Sequence, residues 1–236
     1  MNSSHGNRVL ITGGGAGIGA AIADRCRQDG LDPVTIDLRG GDIQADLSQP
    51  VEVRQAVATA LEAGPIHRLV NNVGIVETSP FRSASLEQLQ RSIALNVQTA
   101  LLCGQLLEPV MAEAGFGRIV NITSRAALGK VDRTTYSIAK AGLIGMTRTM
   151  SLELGRSGIT VNAVGPGPIR TAMFDQANPP GADSTRRIIE AIPMQRMGEP
   201  ADVAHAVAFF LDERGGFITG QVTYVCGGMS VGAGAV

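Results

Sequence analysis

The chain has 236 residues, 44% of them hydrophobic, and a formal net charge of -1 with acids and bases interleaved. Length and apolar content predict one domain with a sizeable core, and the charge balance leaves no electrostatic footprint for nucleic acid or an anionic membrane, so the expected partner is a small molecule. Apolar runs stop well short of the roughly 20 residues that span a bilayer, and the polar start MNSSHGNR lacks a signal-peptide core, which predicts a soluble, cytoplasmic protein. Cys26, Cys103 and Cys226 have no paired or metal-ligand spacing; buried free thiols and no metal site are expected.

Arg8 to Thr12 predicts a buried strand, followed at once by GGGAGIG and a helical pattern through Ala20, Ile22, Ala23 and Cys26. In that context glycines let the backbone approach a pyrophosphate, which the amides and positive end of the next helix then bind. Pro33 to Asp37 predicts a second strand ending in an acid, where a dinucleotide-binding unit hydrogen-bonds the adenosine ribose; an ordinary Asp entering a turn is the alternative. Ile43 to Leu47 predicts a third strand, after a link too short for a full crossover helix.

Ser48 to Ala63 predicts a helix with Ser48 as N-cap and Pro50 in its first turn. His67 to Gly74 predicts a strand entering a polar turn, with His67 at the surface and Asn71 and Asn72 bracing neighbouring strand ends. Ser85 to Met111 holds two helical patterns. Asn96, a polar amide in the second, either caps a local backbone break or serves the site.

Ile119 to Thr123 predicts another buried strand, with Ser124 at its end, and from Tyr136 the pattern becomes helical. Tyr136 and Lys140 then share one helix face. A phenol is a poor acid or base at neutral pH, and a nearby cation brings it toward working range; Ser124 can hold a carbonyl or hydroxyl oxygen at the same point. Gly158 to Val164 predicts a strand running into Gly165-Pro166-Gly167-Pro168. Arg170 to about Pro200 loses regularity and predicts a substrate lid. Ala201 to Leu211 predicts a helix, and Gly220 to Val225 a last strand before a glycine-rich tail.

Strands alternating with helices predict a single-domain α/β fold: a doubly wound, mostly parallel sheet with ligand at the strands' carboxyl ends. Thr12-Gly13 through Gly17 and Gly19, Asn71-Asn72-Val73-Gly74, Asn96, Tyr136 to Lys140, Pro166-Gly167, and Gly220-Gln221 with Gly227-Gly228 stand in the order of a known pattern. It resembles the short-chain dehydrogenase/reductase family, over nearly the whole chain. The resemblance implies a Rossmann-type fold and an enzyme moving a hydride between NAD and a secondary alcohol or ketone. Tyr136 would be the general acid/base, Lys140 would lower its pKa and bond the nicotinamide ribose, Ser124 would orient the substrate oxygen, and Asn96 would hold a water linking Lys140 to bulk. Gly13, Gly17, Ile18 and Gly19 would contact the cofactor diphosphate and ribose. Asp37 would hold the adenosine ribose, Asp46 and Leu47 would flank adenine, and Asn72, Gly74, Pro166 and Gly167 would line the crevice. Ile169 and Thr171 would hold the carboxamide. A homotetramer is implied too, with the apolar Ile93 to Met111 and Tyr136 to Leu154 segments as candidate subunit surfaces.

Some positions depart from that pattern. Ser124 to Tyr136 is one residue shorter than in the family, which leaves Thr123 as a lesser candidate for the hydroxyl role. Val73 replaces a small Ala, Cys226 an Asp, and the helix between the second and third strands is missing. The basic residues of reductases that act on carrier-bound ketoacyl groups are replaced by Gly115 and Ser157, with Arg156 adjacent, which weakens docking of a carrier protein. Two alternatives remain: a 3-oxoacyl-thioester reductase, and a non-catalytic NAD(H)-binding regulator or scaffold, for which Tyr136, Lys140, Ser124 and Asn96 together would have little use. Asp37 predicts NAD over NADP, with Arg39 able to swing over to a 2′-phosphate. Met173, Phe174, Ile188, Ile189 and Met194 predict an apolar lid, while Arg125 and Arg170 either recognise an anion or face solvent.

Overall fold

A computed structural model describes residues 6–179 and 181–231, apart from the side chains of Met173 and Ala177. Seven parallel strands form one sheet: β1 (Arg8–Thr12), β2 (Asp32–Asp37), β3 (Ile43–Gln44), β4 (Arg68–Asn71), β5 (Gly117–Ile122), β6 (Ile159–Pro166) and β7 (Val222–Val225), in the order β3-β2-β1-β4-β5-β6-β7. The order reverses between β1 and β4. A crevice therefore opens at their carboxyl ends, because the connections leaving these two strands depart to opposite faces.

The helices are α1 (Gly17–Gln28), α2 (Pro50–Glu62), α3 (Leu86–Ile93), α4 (Thr99–Glu113), α5 (Thr134–Leu154), α6 (Ala172–Ala177), α7 (Asp183–Glu190) and α8 (Pro200–Leu211). Two apolar layers cover the sheet. Val53, Val57, Leu107 and Met111 pack with Leu10, Leu69 and Ile119 on one side; Ile22, Val203, Val207 and Phe210 pack with Val9, Ile11 and Val120 on the other. Because both faces are covered, β4 and β5 are buried along their whole length, with near-continuous apolar runs. The three cysteines are free and buried.

Several local expectations are corrected. β3 is only two residues long, and the five residues before it are the abbreviated connection that its parallel pairing with β2 requires; Asp42 clasps it by accepting from Thr35 N at 2.8 Å and Thr35 Oγ1 at 2.7 Å. Ser48 does not cap α2: Gln49 occupies the cap and Pro50 begins the helix, while Ser48 N donates to Asp46 Oδ1 at 2.9 Å. The stretch predicted to be irregular holds the short helices α6 and α7. Their few turns and the Pro-Gly break between them dilute any periodic signal. Of the residues expected to form an apolar lid, the Met173 side chain lies outside the described residues, as does the end of the glycine-rich tail.

His67 is not at the surface. It is buried, edge-on to Phe116 at 6.5 Å between ring centroids, and the Phe116 ring also takes the guanidinium carbons of Arg68 at 4.9 Å and Arg118 at 4.3 Å. A His at a strand's start reads as polar in sequence, yet its ring is mostly carbon and here it closes the sheet's amino-terminal end. Arg68 joins Leu211 O, Gly6 O and Glu213, so this end of the sheet is tied to the chain before β1 and after α8. The carboxyl ends remain for the site.

Candidate active site

At the end of β1, Gly13 N donates to Ile36 O at 2.7 Å, starting the glycine turn beneath the tip of β2. A Cβ on Gly19 would strike Gly13 O, so the first turn of α1 seats against the loop only with glycine there. Gly17 begins α1, followed by half-buried Ile18, and the Thr171 methyl would lie 3.5 Å from a Cβ on Gly17. Thus the segment after β6 reaches across to the turn. Asp37 Oδ2 accepts from Gly15 N at 2.9 Å and Oδ1 from Arg39 N at 3.3 Å, holding the carboxylate at the crevice edge.

Asn72 braces the two central strands as expected. Its amide donates to Thr12 O at 3.1 Å and Gly13 O at 2.8 Å, and Asn72 N and Val73 N donate to Thr12 Oγ1. Asn71 donates to Asn121 Oδ1 at 2.9 Å, and Asn121 to Thr147 Oγ1 at 2.9 Å, which links β4, β5 and α5. The pair of asparagines replaces loop solvent with fixed dipoles at the switch point.

Asn96 lies in a π-helical turn, Ala94–Gln98, between α3 and α4. Both readings of the sequence meet here: the backbone does break, and the side chain points into the site. Its Nδ2 donates to Ser92 O at 2.9 Å and Ile75 O at 3.2 Å, while its buried Oδ1 has no hydrogen-bond partner among the described residues. A Cβ on Gly74 would strike that oxygen and lie 3.2 Å from Lys140 Nζ. Asn96 Oδ1 and Lys140 Nζ therefore converge on the same glycine. A buried acceptor beside a buried amine is where a water finds partners.

Lys140 is 3% exposed and donates to Ile122 O at 2.9 Å; burial alone pushes its amine down to about 7. The ammonium nitrogen lies 5.7 Å from the Tyr136 ring centroid. Burial pushes the Tyr136 phenol above its ordinary pKa, against a Ser124 side-chain hydrogen bond and the Arg133 charge, which act to lower it. Arg133 thus adds a second cation at the phenol beside Lys140, whose own amine is held near neutrality by burial.

Ser124 accepts from Ala126 N at 3.1 Å at the start of a 3₁₀ turn and faces Tyr136. Thr123 does not compete, since its hydroxyl donates to Lys140 O at 2.6 Å. Pro166 ends β6 beside Val225, and Gly167 N donates to Val225 O at 2.9 Å. Ile169 is buried and bridges to Gly198, and Thr171 Oγ1 accepts from Phe174 N at 3.2 Å to cap α6. Asp46 accepts from Ser48 N, whereas the Leu47 side chain belongs to the core, which leaves only its backbone for a ligand. Cys226, whose place the sequence could not explain, packs against Gly167 and shares a 3.2 Å contact with Ser230 Oγ.

A cavity of about 310 Å³ opens at the β6–β7 end, lined by Ile169, Ile192, Met194, Tyr224 and Cys226 among others, and lacking Tyr136. Arg170 pairs with Glu199 at 3.4 Å, which resolves it as a surface ion pair. Sequence reasoning missed Lys130 and Arg133; the available signal was the density of cations between Ser124 and Tyr136.

Residues 13–230 match the family model described as Enoyl-(Acyl carrier protein) reductase. The chain is 39% identical to the (2S)-[(R)-hydroxy(phenyl)methyl]succinyl-CoA dehydrogenase subunit BbsD of Thauera aromatica, covering 97% of this chain and 98% of that protein. It is 36% identical to a 3-oxoacyl-[acyl-carrier-protein] reductase of Synechocystis, covering 94% and 96%. Among solved structures it is similar to a blue fluorescent protein from a metagenomic library in complex with NADPH, with a TM-score of 0.86 and 34% identity over 95% of this chain and 98% of that one.

Proposed function

The chain belongs to the short-chain dehydrogenase/reductase family, and on that premise we propose that this oxidoreductase moves a hydride between NAD and a secondary alcohol or ketone, with Tyr136 as general acid/base. The observation that carries the reading is the Ser124–Tyr136–Lys140 cluster at the carboxyl end of β5, with Asn96 Oδ1 and Lys140 Nζ converging on Gly74. The crevice suits the cofactor: a glycine turn whose close contacts exclude a Cβ, and a carboxylate at the tip of β2.

The residues divide as follows. Gly13, Gly17, Ile18 and Gly19 would hold the diphosphate side, Asp37 the adenosine ribose, and Asp46 and the backbone of Leu47 the adenine. Asn72, Gly74, Pro166 and Gly167 would line the nicotinamide half, and Ile169 and Thr171 would hold its carboxamide. When bound, the nicotinamide supplies or accepts the hydride. Ser124 orients the substrate oxygen, and Tyr136 gives or takes its proton. Lys140, poised near neutrality, bonds the ribose and passes protons through a water held by Asn96. Moving the proton and hydride together avoids a charged alkoxide, and Tyr136, only half-buried, remains within a substrate's reach.

Acyl thioesters are the second reading for the substrate, favoured by the printed activities of the dehydrogenase subunit and the carrier-protein reductase above. A panel of ketones, 3-oxo acids and 3-oxoacyl-CoA esters assayed for NADH consumption tests both. Consumption with at least one class supports an enzyme; binding of NADH with no consumption by any class supports a non-catalytic regulator instead. Exposed Leu101 on α4 and Ile138 and Leu152 on α5 support the further reading of a homotetramer.

A further inference from the structure

Several arginines of the carboxyl-terminal half and of α3 are paired with acids: Arg170 with Glu199 at 3.4 Å, Arg196 with Asp202 at 2.8 Å, and Arg91 with Glu77 at 2.6 Å. Arg125, Lys130 and Arg133, all between Ser124 and Tyr136, form no ion pair with a carboxylate among the described residues. They nevertheless sit close enough to repel one another. Lys130 is exposed at the loop's surface, and partial desolvation together with the charges of Arg133 and Arg125 pushes its pKa down. Arg125 and Arg133 are half-buried and Lys130 is exposed, so the three like charges repel at the surface and are favourably joined by an anion.

Arg133 is also next to the chemistry. It precedes α5 by one residue and Tyr136 by three, which places both on one side of the helix start, and its charge acts on the phenol. The loop is fixed rather than free: Ser79 N donates to Asp132 O at 3.2 Å, and Ser79 and Arg133 pair in a short parallel bridge. Arg133 Nη1 donates to Asp132 O at 3.1 Å, which leaves the rest of its donor fork for a ligand. The neighbouring acids are Asp132, which attracts Arg133 without an ion pair, and Glu77, whose Oε1 is held by Arg91.

We propose that Arg133, supported by Lys130 and Arg125, binds a carboxylate carried by the substrate, so that the substrates are hydroxy or oxo acids with a free carboxylate a few bonds from the reacting carbon. This deepens the oxidoreductase reading and rests on it for the position of that carbon. The cluster is a substrate-binding feature distinct from the glycine turn and from Asp37, which face the cofactor.

The test is calorimetric titration of the NAD⁺-loaded protein, in which an added ketone is not reduced, with acetoacetate, benzoylacetate and 3-oxoglutarate and with the methyl ester of each. At least one acid binds tenfold or more tighter than its ester; in Arg133→Gln that ratio falls to within about twofold of one, and Arg133→Lys restores part of it. The NAD⁺ titration of each variant, run first, reports that it is folded. Equal binding of acid and ester in all three pairs, or a preference unchanged in Arg133→Gln, overturns the proposal. So does Arg133-dependent binding of acetoacetyl-CoA with no preference among the free acids, since the anion is then a phosphate of the carrier. NADH consumption by the same ketones is read separately, so loss of the oxidoreductase reading and loss of the carboxylate site are distinguishable.

Discussion

Asp37 Oδ2 accepts a 2.9 Å hydrogen bond from Gly15 N, so the tip of β2 and the glycine turn after β1 are one unit before any ligand arrives. A carboxylate held there meets both ribose hydroxyls of NAD, whereas the 2′-phosphate of NADP removes a donor and sets negative charge against negative charge. Taking roughly 2 to 4 kcal/mol for the lost bond and the repulsion, NAD is favoured in kcat/KM by about 30-fold to 1000-fold. Arg39 is exposed and its backbone already bonds Asp37, so it offsets this only in part. In Asp37→Ser the gap shrinks by about tenfold or more; steady-state kinetics with both cofactors checks it, and equal use by wild type removes Asp37 from this role.

Tyr136→Phe leaves NAD affinity nearly unchanged and lowers turnover by about 10² to 10⁴, the usual worth of a positioned acid/base. Fluorescence titration with NADH and a single-turnover assay separate the two. Retention of more than about a tenth of wild-type turnover with chemistry rate-limiting assigns the proton to another group.

Gly74→Ala drives a methyl into Asn96 Oδ1 and to 3.2 Å from Lys140 Nζ. Neither neighbour can retreat: Asn96 is fixed by Ser92 and Ile75, and Lys140 by Ile122. Overpacking of this kind costs about 1 to 3 kcal/mol, so Tm falls by roughly 2 to 4 °C per kcal/mol, with kcat falling by about tenfold or more. Unaltered Tm and kcat mean that the π turn yields.

Lys140 gives stability a pH dependence of defined sign. Its amine titrates near 7 when folded, against an ordinary 10.5. Below pH 7 both states are protonated and the folded protein carries a buried charge; between about 7 and 10.5 the unfolded chain binds more protons, so this group makes stability rise with pH across that window. Lys140→Met lacks the term. Its advantage over wild type is therefore largest below pH 7, by about 3 °C or more in Tm, and shrinks toward pH 10, after allowance for the constant loss of the bond to Ile122 O. A difference that is flat with pH shows that the folded amine is ordinary.

Leu101, Ile138 and Leu152 leave an apolar surface along α4 and α5. Light scattering at micromolar concentration is expected to give a tetramer, and Leu152→Glu to shift it toward smaller species. A monomeric wild type removes the subunit-surface reading.

Much of this protein was legible in its residues because the relevant signals are local. A parallel strand buried on both faces must be an apolar run, a turn that excludes Cβ atoms must be glycine, and residues four apart on a helix must share a face. Hence β1, the GGGAGIG turn, β5 and the Tyr136–Lys140 pair could be read directly, and the parallel sheet follows from their alternation. What required the tertiary structure were quantities set by the surroundings. His67 reads as polar until Phe116 is seen to cover it. Asn96 has two readings until the π turn shows the backbone break and the side chain's buried oxygen beside Gly74. Lys140 reads as a cation beside Tyr136, but only packing reveals that it is buried and that Arg133 adds charge at the phenol. Desolvation and charge pairing depend on which distant segments close over a group, and a linear sequence carries the identities of those segments but not their distances.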